Sequence, residues 1–375
     1  MINVLADQYL YNIQSYLPES VNLQLFDPAE GLPGEVEKAH ALLIRTVIPI
    51  NKETLPNIPK TLRFIGTGSS GTDHVDRQYL KENNINLADA AGCNARSVAE
   101  YIATSLILWT EKRNRDLTNL STGIIGVGHV GSEVINILNS IGLQTAAYDP
   151  PRDQRDPDFS TASLDEVLSC DILTFHTPLN KKSKYPTYHW LDQEKLRGRT
   201  FDLIINSARG GVVDEKALLA AMKKGIIRDI IIDTWENEPK IHLETAGAAF
   251  LKTPHIAGYS VQAKENASKF IADKLINVFE LDYPVQANAT GNITFNKNLS
   301  QIDSLSSLLT DLHPIKEYEK RLADIVRDHP EKRGELFNKL RAEFPLRQQF
   351  AQIHLPKTYF DHFSTLKGLG FSAIS

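Results

Sequence analysis

The sequence predicts an α/β protein with two doubly wound parallel-sheet domains and a small C-terminal α+β domain. Three observations carry that expectation. Short apolar runs alternate with polar connections from Ile2 to Phe279, the rhythm of strands joined by crossover helices. A glycine-rich turn, Gly126 to Gly131, stands between a strand pattern and a helix pattern. From about residue 286 the chain changes character, polar over Asn288–Ser300 and then built of heavily charged helical stretches.

In order, the runs Ile2–Leu5, Ala41–Ile44, Leu62–Gly66 and Ile85–Ala88 read as strands of a first sheet. Ser97-Val98-Ala99-Glu100 has the form of a capping box opening a helix through Trp109. Gly123–Val127 reads as a strand, Val130–Ile141 as a helix and Gln144–Tyr148 as the next strand. Val130, Val134, Ile137, Leu138 and Ile141 recur at helical spacing and would pack on the sheet. Further strands are expected at Ile172–Phe175, Leu203–Ile205 and Asp229–Ile232, with helices at Ser163–Leu168, Glu215–Lys224 and Ala263–Phe279. The tail predicts helices over Ile315–Val326 and Lys332–Phe344.

Composition narrows the function classes. A 375-residue chain implies two or three domains, and 42% hydrophobic with 23% charged residues is globular. The net charge of -5, with no dense basic block, speaks against a nucleic-acid partner. The longest apolar run, Tyr101–Trp109, is far short of the roughly 20 residues of a membrane span, so no membrane partner is expected. Two cysteines, Cys93 and Cys170, offer neither a disulfide framework nor zinc-like spacing; a cytoplasmic protein without a metal is expected.

Gly126-Val127-Gly128-His129-Val130-Gly131 matches G-x-G-x-x-G in a strand-to-helix context. The first glycine serves the tight turn, the second the close approach of a pyrophosphate, and the third close packing of helix on strand. The amides of the helix start would meet the phosphate charge, as in a Rossmann domain. Asp149, 18 residues after Gly131, would accept from ribose hydroxyls and repel a 2′-phosphate, favouring NAD over NADP; Arg152 and Arg155 are the countervailing charges.

Three later segments are expected at strand ends on the ligand side of the sheet: Asn206–Gly211, Asp233–Pro239 and Thr253–Gly258. Oxidising an alcohol needs a base for the hydroxyl proton, and histidine suits neutral pH. His255 is that candidate, Glu238 a carboxylate to orient it, and Arg209 a bidentate partner for a substrate carboxylate.

With these motifs as they stand (GIIGVGHVG, NSARGGVVDEKAL, WENEP, TPHIAG), the chain resembles the D-2-hydroxyacid dehydrogenase superfamily. The resemblance implies that Arg209, Glu238 and His255 are catalytic and that Thr177, Ser207, Ala208, Asp233 and Gly258 line the cofactor. It implies a discontinuous layout too: a flavodoxin-like substrate domain of residues 1–96 and 256–285, an NAD domain of residues 97–255 inserted in it, and a C-terminal domain of residues 286–375.

LIRTVIPIN, GTGSSGTDHVD, AGCNARSVAEY, DILTFHTPLN and TPHIAGY are similar to the branch that oxidises 4-phospho-D-erythronate in pyridoxal 5′-phosphate biosynthesis. GELFNKLRAEFPLRQQF and LGFSAI are similar to that branch's C-terminal dimerisation domain, which implies a homodimer. By this resemblance Thr46, Thr67 and Tyr259 contact substrate. Arg45 offers charge to a phosphate, and Thr67–Gly71 reads equally as an amide nest for an anion or as an ordinary turn. Arg341 and Arg347 are expected on a solvated helix face, with reach toward a partner's active site as the sharper option. Other functions stay open: oxidation of 3-phosphoglycerate or of another D-2-hydroxy acid, and a non-catalytic NAD-sensing protein.

Overall fold

In the first sheet β1 (Ile2–Asp7), β2 (Val21–Phe26), β3 (Ala41–Ile44), β4 (Phe64–Thr67) and β5 (Asn86–Asp89) lie in the order β2-β1-β3-β4-β5, every pair parallel. β3 and β4 are buried at every position, as central parallel strands covered on both faces must be. The helix Val261–Phe279, capped by the Ser260 hydroxyl accepting from the Ala263 amide, places Ile271, Ala272 and Leu275 in the core against this sheet. These parts form one unit, residues 1–94 with 260–291. The computed structural model describes residues 1–284, 291–295 and 297–374. The expected boundary at 285/286 and part of Asn288–Ser300 lie outside the described residues.

The second unit joins residues 95–259 with 292–375. Its main sheet comprises β6 (Ser121–Ile125), β7 (Gln144–Tyr148), β8 (Ile172–Phe175), β9 (Phe201–Asn206), β10 (Ile227–Ile232) and β11 (Leu251–Lys252), ordered β11-β10-β9-β8-β6-β7 and parallel throughout. The order reverses between β6 and β8, the switch point beside which an open parallel sheet binds its ligand. The helix His129–Ser140 buries Val134, Ile137 and Leu138 of the expected stripe, with Ile141 buried at its C-cap, Val130 only half-buried and Gly131 buried beside them. Glu215–Lys223 is capped by Asp214 and followed by Gly225 at φ 70°.

The tail adds β12 (Ile293–Thr294), β13 (Ile353–Leu355) and β14 (Ser372–Ala373) in a small parallel sheet with helices. Leu308, Leu309, Phe350, Leu366 and Phe371 share a core with Tyr101, Ile102, Leu106 and Val134.

One local expectation fails. The helix runs Ala95–Arg113, so Ser97 and Glu100 lie inside it and cap nothing. It is buried nearly all round, and both residues serve the tail instead. Glu100 accepts from Arg96, Arg347 and the Phe350 amide, while the Ser97 hydroxyl accepts from Gln349.

Candidate active site

The glycine loop turns at the end of β6, with Gly126 at φ 88°, a left-handed conformation that L side chains rarely adopt. A Cβ on Gly131 would lie 2.0 Å from the Gly126 carbonyl oxygen, so only glycine lets helix and strand approach this closely. Around Gly128 there is open space instead. Gly128 is the N-cap of His129–Ser140 and no side chain caps that helix, which leaves its first amides to an anion. His129 is exposed and Val130 half-buried at this opening.

Asp149, just past β7, accepts from the Val127 amide at 2.8 Å through Oδ2 and from the Arg152 amide at 2.9 Å through Oδ1. The carboxylate therefore ties β7 to the glycine loop, with lone pairs remaining for ribose hydroxyls. Arg152 is not a loose cation beside it: the guanidinium bonds the Val127 carbonyl, Ser132 and Asp156. Arg155 bonds the Pro151 carbonyl and is exposed.

Two side chains that the sequence assigned to the cofactor have buried hydroxyls without a hydrogen-bond partner among the described residues, Thr177 and Ser207. Buried hydroxyls without partners are costly, and a ligand's polar atoms would supply the missing bonds. With the uncapped helix start and the space at Gly128, they fit an NAD molecule.

At the end of β9, Asn206 shapes the next loop. Its amide donates to the carbonyls of Arg209 and Thr234, and its oxygen accepts from the Ala208 amide. A Cβ on Gly210 would sit 1.7 Å from the Trp235 carbonyl oxygen, so the Arg209 loop lies directly on the Trp235 turn. Arg209 is half-buried, with Nη1 on the Ala208 carbonyl.

Asp233, at the end of β10 and 1% exposed, organises the histidine loop. It accepts from the Thr253 hydroxyl at 2.6 Å and from the Ile256 and Ala257 amides, and its carbonyl accepts from the His255 amide. Burial pushes its carboxyl above the ordinary carboxylate value; the His255 charge and these donors pull the other way. Tyr101 extends the network through Thr253. His255 is held at φ 59°, a conformation costing about 1–3 kcal/mol that persists only where the surroundings enforce it.

His255 Nδ1 lies 2.8 Å from Glu238 Oε2, and Glu238 Oε1 accepts from the Trp235 amide at 2.7 Å. Burial works to raise the Glu238 carboxyl, but the His255 charge and hydrogen bond, the Trp235 amide and the Arg341 charge outweigh it and hold it below the ordinary value. An ionised Glu238 on Nδ1 leaves Nε2 as the nitrogen that exchanges a proton. Gly258 and Tyr259, both half-buried, follow in the same loop.

Arg341 and Arg347 are not on a solvated face. Arg341 Nε donates to the Tyr259 hydroxyl at 3.0 Å, and Arg347 is 5% exposed on Glu100. The sequence also missed the neighbours of the WENEP turn. His189 bonds Glu236 at 3.0 Å, and Glu215 accepts from the Glu236 amide. Two glutamates flanking one asparagine were a visible signal, but nothing local says which one takes His255.

In the first unit, Arg45 is half-buried, Thr46 exposed and Thr67 fully buried. The Thr67 hydroxyl already meets Ser69 and His74, and the Gly68 amide donates to Ile44, which removes one donor from the proposed nest. Among the described residues no cluster of His, Cys, Asp or Glu could hold a metal, and no helix is long and apolar enough to cross a membrane.

Residues 95–257 match the family model for the NAD binding domain of D-isomer specific 2-hydroxyacid dehydrogenases. An erythronate-4-phosphate dehydrogenase of Bacteroides thetaiotaomicron is 36% identical, covering 93% of this chain and 97% of the relative. One from Marinobacter nauticus is 31% identical, covering 93% of each. Among solved structures, an Aquifex aeolicus D-lactate dehydrogenase with NAD and lactic acid is similar at TM-score 0.56 and 25% identity, covering 74% of this chain and 95% of that one. A 3-phosphoglycerate dehydrogenase of Entamoeba histolytica with bound NAD+ shares the fold at TM-score 0.60 and 20% identity, covering 75% and 96%.

Proposed function

The chain belongs to the erythronate-4-phosphate dehydrogenases of the D-isomer specific 2-hydroxyacid dehydrogenase superfamily, and from that premise we propose that it oxidises 4-phospho-D-erythronate to (R)-3-hydroxy-2-oxo-4-phosphobutanoate. The step serves pyridoxal 5′-phosphate synthesis in the cytoplasm. NAD, when bound, accepts the hydride. Gly126, Gly128, His129, Val130 and Gly131 hold its pyrophosphate, Asp149 its ribose, and Thr177, Ser207, Ala208, Asp233 and Gly258 its remaining polar edges.

The observation that carries the reading is the His255–Glu238 pair at 2.8 Å, held by Asp233 and the Trp235 amide. His255 Nε2 takes the C2 hydroxyl proton as hydride leaves C2, and Glu238 stabilises the imidazolium that forms. Arg209 binds the C1 carboxylate and polarises the developing carbonyl. Thr46, Thr67 and Tyr259 contact the rest of the substrate, and Arg45 its phosphate. The layout follows as domains of residues 1–96 with 256–285, 97–255 and 286–375, the last joining two copies in a homodimer.

Turnover of 4-phospho-D-erythronate with added NAD, read as NADH formation, tests the proposal against 3-phosphoglycerate and unphosphorylated 2-hydroxy acids. Brisk oxidation of the unphosphorylated acids alone defeats the phosphate half. Full biological activity after His255→Ala defeats the enzyme reading in favour of an NAD-sensing role.

A further inference from the structure

At the carboxyl edge of the first sheet, three neighbouring parallel strands end on polar residues. β1 closes on Asp7, β3 runs into Arg45 and β4 closes on Thr67. This is the edge at which open parallel sheets take ligands. Asp7 is fully buried, an expensive place for a carboxylate unless it is paired. Its Oδ1 accepts from the Tyr9 amide at 2.9 Å and its Oδ2 from Arg45 Nε at 2.8 Å. The Tyr9 ring covers the guanidinium at 5.0 Å.

The form of this pair differs from that of the Arg113–Asp229 pair, and its terminal nitrogens differ from those of Arg96 and Arg152, which are spent on Leu369, Val127 and Ser132. Arg113 meets Asp229 with both Nε and Nη2, at 2.8 and 2.6 Å, which spends the fork of the guanidinium on its partner. Arg45 gives Asp7 only Nε. Its two terminal nitrogens have no hydrogen bond among the described residues, and its side chain is 28% exposed over a carboxylate that is 0% exposed. A guanidinium fixed through Nε, with the paired terminal N–H groups outward, presents the fork that binds a phosphoryl group bidentately.

We propose that Asp7 is a positioning residue: it orients Arg45 so that both terminal nitrogens meet the phosphoryl group of the substrate. This rests on the phosphorylated-substrate reading above. Asp7 touches no substrate; it acts by removing the rotational freedom of the guanidinium before binding.

The test is a double-mutant cycle of Asp7→Asn and Arg45→Ala, assayed with 4-phospho-D-erythronate and D-erythronate. Arg45→Ala raises KM for the phosphorylated acid about 10- to 100-fold, the loss of hydrogen bonds to a charged group. Asp7→Asn raises it about tenfold with a smaller change in kcat, and both variants affect D-erythronate much less than its 4-phosphate. In the Arg45→Ala background Asp7→Asn costs no further KM and recovers thermal stability, because it removes a buried carboxylate left without its cation.

Independent, additive effects on KM, or equal effects on both acids, would overturn the role of Asp7. If Asp7→Asn does not fold, Arg45→Lys on intact Asp7 decides: it keeps the charge but lacks Nε and the fork. A KM as high as that of Arg45→Ala supports the proposal, and a wild-type KM refutes it. Wild-type protein that oxidises D-erythronate but not its 4-phosphate overturns the substrate reading instead, and with it the phosphoryl ligand.

Discussion

Two buried carboxylates in the second unit, Asp233 and Glu100, are both fully engaged, yet they are solved in opposite ways. Glu100 is met by two arginines, Arg96 and Arg347, and by the Phe350 amide. Among the described residues Asp233 is bonded to no cation; one hydroxyl and two amides from the histidine loop hold it. The loop that Asp233 holds carries a histidine in a left-handed conformation, and the Asp233 amide donates to the carbonyl of Asn206, next to Ser207, whose buried hydroxyl has no partner among the described residues. The contrast separates a carboxylate that ties the tail to the long helix from one that shapes the loop of the proposed catalytic histidine. The first is judged by the segments it holds together, the second by the conformation it imposes on the His255 loop.

If that contrast is sound, damage on the two sides reads out differently. The largest effect is expected from His255→Ala, which removes the proposed acid/base and lowers kcat/KM about 10²–10⁴-fold. The urea midpoint should barely move, since His255 is half-buried and its loop is held by Asp233. Next comes Arg347→Ala, which leaves Glu100 short of its buried partner and costs about 3–5 kcal/mol in urea unfolding. Its activity in buffer should survive wherever the fold does. Equal losses of stability and turnover in both variants would erase the distinction.

The candidate site was legible in the sequence where its parts are local. G-x-G-x-x-G, Asp149 and the three strand-end segments lie on short stretches whose type and spacing carry the geometry, and β7, β8 and the helix after Gly128 fall where periodicity puts them. What stayed hidden are side-chain pairs made by folding alone. Arg45 reaches back 38 residues to Asp7, Arg341 82 residues to Tyr259, and Arg347 247 residues to Glu100. No period links such partners. The same blindness turned Ser97 and Glu100 into a helix cap, because their local pattern fits one and their true partners lie in the tail.

Glu215 tests the boundary between the two kinds of carboxylate. Burial pushes its carboxyl up to about 7, against the lowering effect of the Glu236 amide. The folded chain then holds this proton more tightly than the unfolded one. The contribution to stability is full below the ordinary value of 4.5 and is lost as pH rises through about 7. Glu215→Gln removes that loss, so the variant should gain on the wild type between acid and mildly alkaline pH, by about 1–3 kcal/mol. Denaturant unfolding at both ends of the range measures it, and a difference that does not change with pH would show that Glu215 titrates alike in the folded and unfolded chain.

The smallest effect should come from Arg341→Ala. Arg341 touches the Tyr259 hydroxyl and, through its charge, helps keep the Glu238 carboxylate ionised. Removing it takes away a stabiliser of the charged form, so the Glu238 carboxyl rises and the acid limb of kcat/KM moves to higher pH. A partly exposed charge contact is worth about 0.2–1 kcal/mol, which limits the loss at neutral pH to less than about sixfold. Arg341→Lys keeps the charge without the planar donor and should restore the acid limb. If it failed to do so, Arg341 would be acting through the Tyr259 hydrogen bond, and the tail would shape the substrate wall rather than the charge on Glu238.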